Sequence, residues 1–239
     1  MTTIKCLEWD SHFFGYPVAS ATWSALPPKS DLDDVLENAR ASGFRLLYLF
    51  LPPTDTPLRL AIEYKGAKFV GCKVEYAKQI TSPPAWEDHG QIQRCNANNP
   101  QLEALALHSG TYSRFHLDEG FRQQEFERLY REWLASSLRG DMGKLVYIVG
   151  TPTEPRGLLT LESDENIRIG LIAVEPSRHG QGIGRQLISM AEQFCIQHQK
   201  PELRVATQEN NIEACRFYEH CGFRNISKTD VFHAWFPPD

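Results

Sequence analysis

The sequence predicts a mixed α/β (α+β) fold in two parts, a smaller unit over residues 1–88 and a larger one over 89–239. Three observations predict it. Apolar runs of single-strand length recur between stretches with helical spacing. A glycine-rich turn, H-G-Q-G-I-G-R over 179–185, links an apolar strand to an amphipathic helix. A polar stretch with paired prolines, T-S-P-P-A-W-E-D-H-G over 81–90, separates two halves that each carry apolar strands of their own.

The first half opens with I-K-C-L-E-W over 4–9. The segment D-S-H-F-F-G-Y-P reads as a turn crowded with rings, whose Phe13 and Phe14 either plug the core or offer a stacking face to a ligand. Val18 to Trp23 alternates as a strand does. Ser30 is a good N-cap, with Asp31, Asp33 and Asp34 in the first turn of a helix ending near Gly43. Phe44 to Leu51 is a near-continuous apolar run stopped by Pro52-Pro53, as expected of a strand buried on both faces. A helix to about Lys65 and an alternating strand from Lys68 to Ile80 complete this half.

The second half starts with a strand over 91–95 and a helix capped by Asn99 and running to about Ser109. The loop T-Y-S-R-F-H-L-D-E-G follows. An arginine between aromatics suits a phosphate or a base, and equally suits a partly packed loop. Phe121 to Leu138 has helical spacing. Leu145 to Val149, Arg156 to Leu161 and Ile167 to Val174 form an antiparallel meander. Next come the glycine turn and a helix over Gly182 to His198, a strand over Leu203 to Thr207, a helix over Asn211 to Cys221, and two closing strands, Phe223 to Ile226 and Val231 to Phe236.

Composition narrows the function classes. The 239 residues are 41% apolar and 23% charged, ordinary for a globular chain. No apolar run approaches the ~18–20 residues that span a bilayer, and the first ten residues lack a signal-peptide pattern, so no membrane partner and a cytoplasmic location are expected. A net charge of −5 and the lack of a basic cluster argue against nucleic acid. The cysteines Cys6, Cys72, Cys95, Cys195, Cys215 and Cys221 show no C-x-x-C spacing, and no H-E-x-x-H is present. No metal is expected, and the cysteines read as free thiols.

The turn is either the chemical centre or an ordinary Gly-rich turn of an α/β protein, and the chemistry it could support is anion binding. Backbone N–H groups converge at a helix N-terminus, where unpaired donors and the helix dipole favour an anion, and glycines allow close approach. Arg178 and Arg185 flank it. Downstream lies N-x-x-A-x-x-x-Y-x-x-x-G-F, carried by Asn211, Ala214, Tyr218, Gly222 and Phe223. The two motifs, about 30 residues apart on strand–helix–strand–helix, resemble the GNAT superfamily of N-acetyltransferases. The family usually has Gln or Arg where this chain has His179. A narrower resemblance, to GNAT members that acetylate dTDP-4-amino-4,6-dideoxyhexoses for bacterial surface polysaccharide, rests on shorter patches. These are L-E-W-D-S-H-F-F-G, S-R-F at Arg114, R-I-G-L over 168–171 and L-R-V-A-T-Q over 203–208.

The resemblance implies the GNAT fold, preceded by an N-terminal domain that is a partial copy of it and helps to enclose a nucleotide sugar. It implies acetyl-CoA as co-substrate, paired with Ile172, Ala173 and Val174 on a splayed strand. The diphosphate would rest on His179, Gly180, Gln181, Gly182, Ile183, Gly184 and Arg185, with Asn211 touching the cofactor while capping its helix. It assigns the general acid to Tyr218, for which core packing is the alternative. Arg114, Tyr112, Phe115, Trp9 and Phe14 are candidates for the dTDP-amino sugar, and Glu75 is a candidate base by location. A homodimer is the implied assembly. Rival readings are a GNAT acting on a protein N-terminus, polyamine or antibiotic, and an acyl-CoA-binding module without turnover.

Overall fold

Two long strands, β4 (Ala67–Gln79) and β10 (Arg224–Trp235), tie the chain together in the computed structural model. The structure describes residues 2–84 and 92–237, and of residue 142 the backbone alone. The expected boundary at 88 lies outside the described residues, as does the start of the strand expected over 91–95.

The first half contributes β1 (Lys5–Cys6), α1 (Glu8–Phe14), β2 (Val18–Thr22), α2 (Lys29–Ala41), β3 (Leu46–Leu51) and α3 (Thr56–Tyr64) before β4. The second half contributes β5 (Ile92–Arg94), α4 (Pro100–Ser109), α5 (Arg114–Leu117), α6 (Gln123–Arg139), β6 (Leu145–Thr151), β7 (Glu154–Ser163), β8 (Ile167–Val174), α7 (Ile183–Gln197), β9 (Glu202–Gln208) and α8 (Ile212–His220) before β10. The strands form one sheet in the order β1-β2-β3-β10-β4-β9-β8-β7-β6-β5. β4, from the first half, sits between β9 and β10 of the second, and β10 pairs with β3 through Asp230–Trp235. The halves are therefore joined by backbone ladders and not only by a linker.

Alternation along the strands feeds three cores. On β3, Leu46 and Tyr48 point into the same cluster as α4 and α6, while Leu47 and Leu49 point under α2 and α3. All four are fully buried, which explains the continuous apolar run. On β7, Leu158 joins the α4/α6 side. Leu159 and Leu161 join Ile183, Leu187, Ala191 and Tyr218 under α7 and α8.

Three local expectations are corrected. The D-S-H-F-F segment is helix α1, not a turn; Gly15 ends it in the left-handed region (φ 79°), and the Ser11 hydroxyl donates back to Leu7 O at 2.7 Å. Helix α2 starts at Lys29 after Pro28, so Ser30 lies inside it and is not its cap. The two closing strands are the single strand β10. Its polar middle, S-K-T-D over 227–230, resembles a turn because it lies at the open end of the sheet, where only β4 pairs with it until Asp230. Asp230 itself is buried and satisfied by Thr54 and Arg59.

Candidate active site

The site begins as a fork in the sheet. β8 and β9 run parallel and pair only through Ile167↔Leu203, Arg168↔Arg204 and Ile169↔Val205. Beyond that point β9 stays with β4 as far as Gln208, and β8 stays with β7 as far as Val174. A register shift between Leu159 and Leu161 turns β8 aside. There the Leu171 amide donates to the Thr160 hydroxyl at 2.7 Å, and a Cβ on Gly170 would come within 2.8 Å of the same oxygen. A bulge of this kind bends a strand and frees its next amides.

Those amides have a direction. Leu171 and Glu175 donate toward β7, to Thr160 and Arg156. The pleat then aims the Ile172 and Val174 groups the opposite way, into the fork. The Val174 carbonyl confirms this, because it accepts from His179 Nε2 at 3.1 Å across the opening. The result is a strand edge without a partner strand, able to pair with an extended chain or donate to a developing oxyanion.

The glycine turn closes one end of the fork. Gly180 and Gly182 have φ of 77° and 79°, which only glycine adopts without strain, and a Cβ on either would meet nothing within 4 Å. The first intrahelical bond of α7 runs from the Gln186 amide to Gly182 O, so the amides of Ile183, Gly184 and Arg185 are free at the helix start. Gly184 serves another purpose than the one expected of it. A Cβ there would come 3.0 Å from the Phe217 ring, so it lets α7 and α8 pack closely.

The cleft so formed has a volume of about 900 Å³. Of the expected cofactor residues it gathers Ile172, Ala173, Val174, His179, Gly180, Gly182, Ile183, Gly184, Arg185 and Asn211, together with Arg178; Gln181 is not on its wall. Asn211 caps α8, its side chain accepting from the Ala214 amide at 3.2 Å. Tyr218 also lines the cleft. Its ring is packed among Tyr76, Phe217 and Phe223, with 4% of the residue exposed, and its hydroxyl makes no hydrogen bond among the described residues. Burial pushes the phenol above its ordinary value, so it keeps its proton at neutral pH.

The expected acceptor residues divide. Tyr112 is on the cleft wall and 42% exposed. Phe14 and Phe115 are not stacking surfaces: both are buried in one aromatic cluster with Phe121. Trp9 is half-exposed but stacks on Phe13 at 5.1 Å, away from the cleft lining. Arg114 is not a cleft phosphate ligand. Its guanidinium lies 3.9 Å over the Tyr48 ring and donates to His233 Nε2 at 2.7 Å. Glu75 is engaged elsewhere, by Lys73 at 2.7 Å, Ser227 at 3.3 Å and Arg168 at 3.5 Å. Burial tends to raise its carboxyl, but these partners outweigh that and hold it below its usual range, which suits a base poorly. Sequence reading missed His108, Ser113, Tyr130 and Trp133, which build the wall facing β8. Only Ser113, beside Tyr112 in the T-Y-S-R-F loop, carried a signal.

The network behind Arg114 predicts a stability profile. His233 is fully buried and held at about 4, by burial first and by Arg114 as well, although Asp118 opposes the shift. An unfolded chain takes up that proton near 6.5, so stability falls as pH drops from 6.5 toward 4. Asp118 is held at about 2. Burial opposes this, but hydrogen bonds from His233, Trp235 and Gly120 prevail, and a further loss sets in below pH 3.8. Thermal unfolding from pH 7 to 4 is expected to show a falling Tm, and His233→Gln is expected to flatten that stretch.

Comparison with known proteins gives a consistent frame. The model of the Acetyltransferase (GNAT) family matches residues 103–223, just over half the chain. The chain is 25% identical over 230 residues to a dTDP-fucosamine acetyltransferase of Escherichia coli O6:H1, covering 95% of each. Among solved structures it resembles a conserved protein of unknown function from Staphylococcus epidermidis, with a TM-score of 0.70, 12% identity and coverage of 92% and 85%. It also resembles a GNAT N-acetyltransferase from Sphaerobacter thermophilus, with a TM-score of 0.60, 14% identity and coverage of 97% and 76%. Among the described residues, no group of three or more His, Cys, Asp or Glu is placed to hold a metal, and no helix is long and apolar enough to cross a membrane.

Proposed function

Because the chain belongs to the GNAT family of acetyltransferases, and so is an acetyl-CoA-dependent N-acetyltransferase, we propose that its acceptor is the 4-amino group of a dTDP-4-amino-4,6-dideoxyhexose, with the galacto isomer favoured, in bacterial surface polysaccharide synthesis. The observation that carries this reading is the end-to-end similarity to a dTDP-fucosamine acetyltransferase, which spans both halves of the chain. The shape of the cleft agrees. Beyond the turn and the free edge of β8 it extends to Thr111, Tyr112, Ser113, Tyr130 and Trp133, leaving room for a second substrate.

Each step of the reaction has a partner in the chain. The free edge at Ile172 and Val174 takes the pantetheine arm of acetyl-CoA as an added strand, and the glycine turn with Arg178 and Arg185 takes the diphosphate. A sugar amine flanked by C–O bonds is less basic than lysine, so desolvation in the cleft leaves free amine to attack the thioester carbonyl. An amide of the β8 edge donates to the oxyanion. Tyr218 gives its proton to the departing thiolate, and the proton shed by the acylated nitrogen passes through water in the cleft and restores the phenol. No carboxylate is needed as a base, consistent with the engagement of Glu75 by Lys73 and Arg168.

Thermal unfolding with bound CoA tests the acceptor class. A dTDP-amino sugar is expected to raise Tm by several degrees, whereas spermine and an N-terminal peptide amine leave it unchanged. A shift with spermine or the peptide alone would replace the nucleotide sugar with one of those amines.

A further inference from the structure

The acceptor wall contains a segment that depends on its neighbours for its place. Thr111, Tyr112 and Ser113 line the cleft and lead directly into α5, which has only four residues. So short a helix has little stability of its own. Gly110, just before it, lies so close to α6 that a Cβ would meet the Tyr130 ring at 2.4 Å. The segment is thus packed from behind at one end, and at the other it is held by the Phe115 ring, buried against Phe14, Tyr48, Phe121 and Trp133, and by one polar side chain.

That side chain is Arg114. Its guanidinium stacks 3.9 Å over Tyr48 of β3 and 4.2 Å over Phe115, and its NH1 donates to His233 of β10 at 2.7 Å. Arginine has no acceptor to offer, so His233 Nε2 must be the bare nitrogen and Nδ1 must carry the proton. Nδ1 then donates to Asp118 Oδ2 at 2.6 Å, and the same oxygen takes the Trp235 indole N–H at 2.9 Å. Asp118 also accepts the Gly120 amide at 3.1 Å. The chain is closed: Arg114 starts α5, Asp118 follows its end, and both are fastened to β10. Ser113, next to the anchor, has a hydroxyl oxygen buried with no hydrogen-bond partner among the described residues.

We propose that Arg114 is a positioning residue: clasped between Tyr48 and His233, it sets where Tyr112 and Ser113 stand in the cleft and thereby sets affinity for the acceptor. The proposal rests on the reading that this wall meets the amino sugar. It also reassigns the S-R-F patch, whose arginine acts from behind the wall and not on a phosphate. The turn and the β8 edge hold the other substrate independently of it.

Arg114→Lys keeps the charge and the stem but loses the planar fork. It is expected to raise the acceptor KM about tenfold, with the acetyl-CoA KM within about twofold of wild type. His233→Gln loosens the same guanidinium from the β10 side and is expected to act likewise; it serves alone if the lysine variant does not fold. Tyr112→Ala gives the decisive control. If Arg114 acts through the wall, adding Arg114→Lys to Tyr112→Ala raises the acceptor KM far less than it does in the wild-type background. Full additivity, or equal loss for both substrates, overturns the proposal. Amide exchange supplies a readout that needs no acceptor. Exchange over 108–116 is expected to accelerate about tenfold in Arg114→Lys, with β7 and β8 unchanged, and unaltered exchange over 108–116 overturns the proposal. Absence of turnover by the wild-type protein with dTDP-amino sugars would refute the acceptor reading, while the exchange result would still decide the role of Arg114.

Discussion

Tyr218→Phe is expected to lower kcat for acetyl transfer at least about a hundredfold while leaving acetyl-CoA affinity within about twofold. The substitution removes one oxygen from a ring that otherwise keeps its packing against Tyr76, Phe217 and Phe223. Removing a positioned acid typically costs 10²–10⁴ in rate. The hydroxyl has no hydrogen-bond partner among the described residues to lose, so the fold is not expected to suffer and Tm should hold within a few degrees. Burial also keeps the wild-type proton in place well above neutral pH, so the rate is not expected to fall on the acid side through this group. Steady-state kinetics beside calorimetric titration of acetyl-CoA makes the check. An unchanged kcat would reduce Tyr218 to core packing, the alternative its apolar neighbours permit.

The second large effect is expected at the turn. Gly180→Ala with Gly182→Ala is expected to weaken acetyl-CoA binding ten- to a hundredfold, with the melting temperature lowered only modestly. Both glycines sit near φ 78°, and neither added methyl would strike a neighbour. The cost is therefore conformational, of order 1–2 kcal/mol at each position. The loop relieves it by rotating, and rotation disperses the amides that converge at the start of α7. Gly184→Ala is a useful contrast, because its Cβ presses on Phe217 and its damage should appear first in stability. Calorimetric titration of acetyl-CoA beside thermal unfolding of the two variants separates the two causes.

The sequence made the second half legible because its signals are local. Strand β8 is found at Ile167–Val174 as read, and the Asn211 cap and the α7 start follow from glycine and asparagine chemistry. What stayed hidden depends on partners far along the chain. Nothing near Thr160 announces that its hydroxyl will take the Leu171 amide and open the fork. β10 looked like two strands because its polar middle gains its meaning only from β4 and Thr54. Arg114, Phe14 and Phe115 looked like ligand contacts for the same reason. Rings and a guanidinium in a loop fit a ligand or a buried junction equally well, and it took Tyr48, Asp118 and His233 from distant segments to make them a junction. Tyr112 and its neighbour Ser113 are on the cleft wall, but His108, Tyr130 and Trp133 lie around them by tertiary packing alone.

Free-thiol release from acetyl-CoA by the purified protein with dTDP-4-amino-4,6-dideoxygalactose, run beside its gluco epimer, tests the acceptor most directly. Rapid release is expected with the galacto sugar and little with the gluco sugar. Release with neither, while acetyl-CoA alone still raises the melting temperature, would contradict the assigned acceptor and leave an N-acetyltransferase whose amine is of another class.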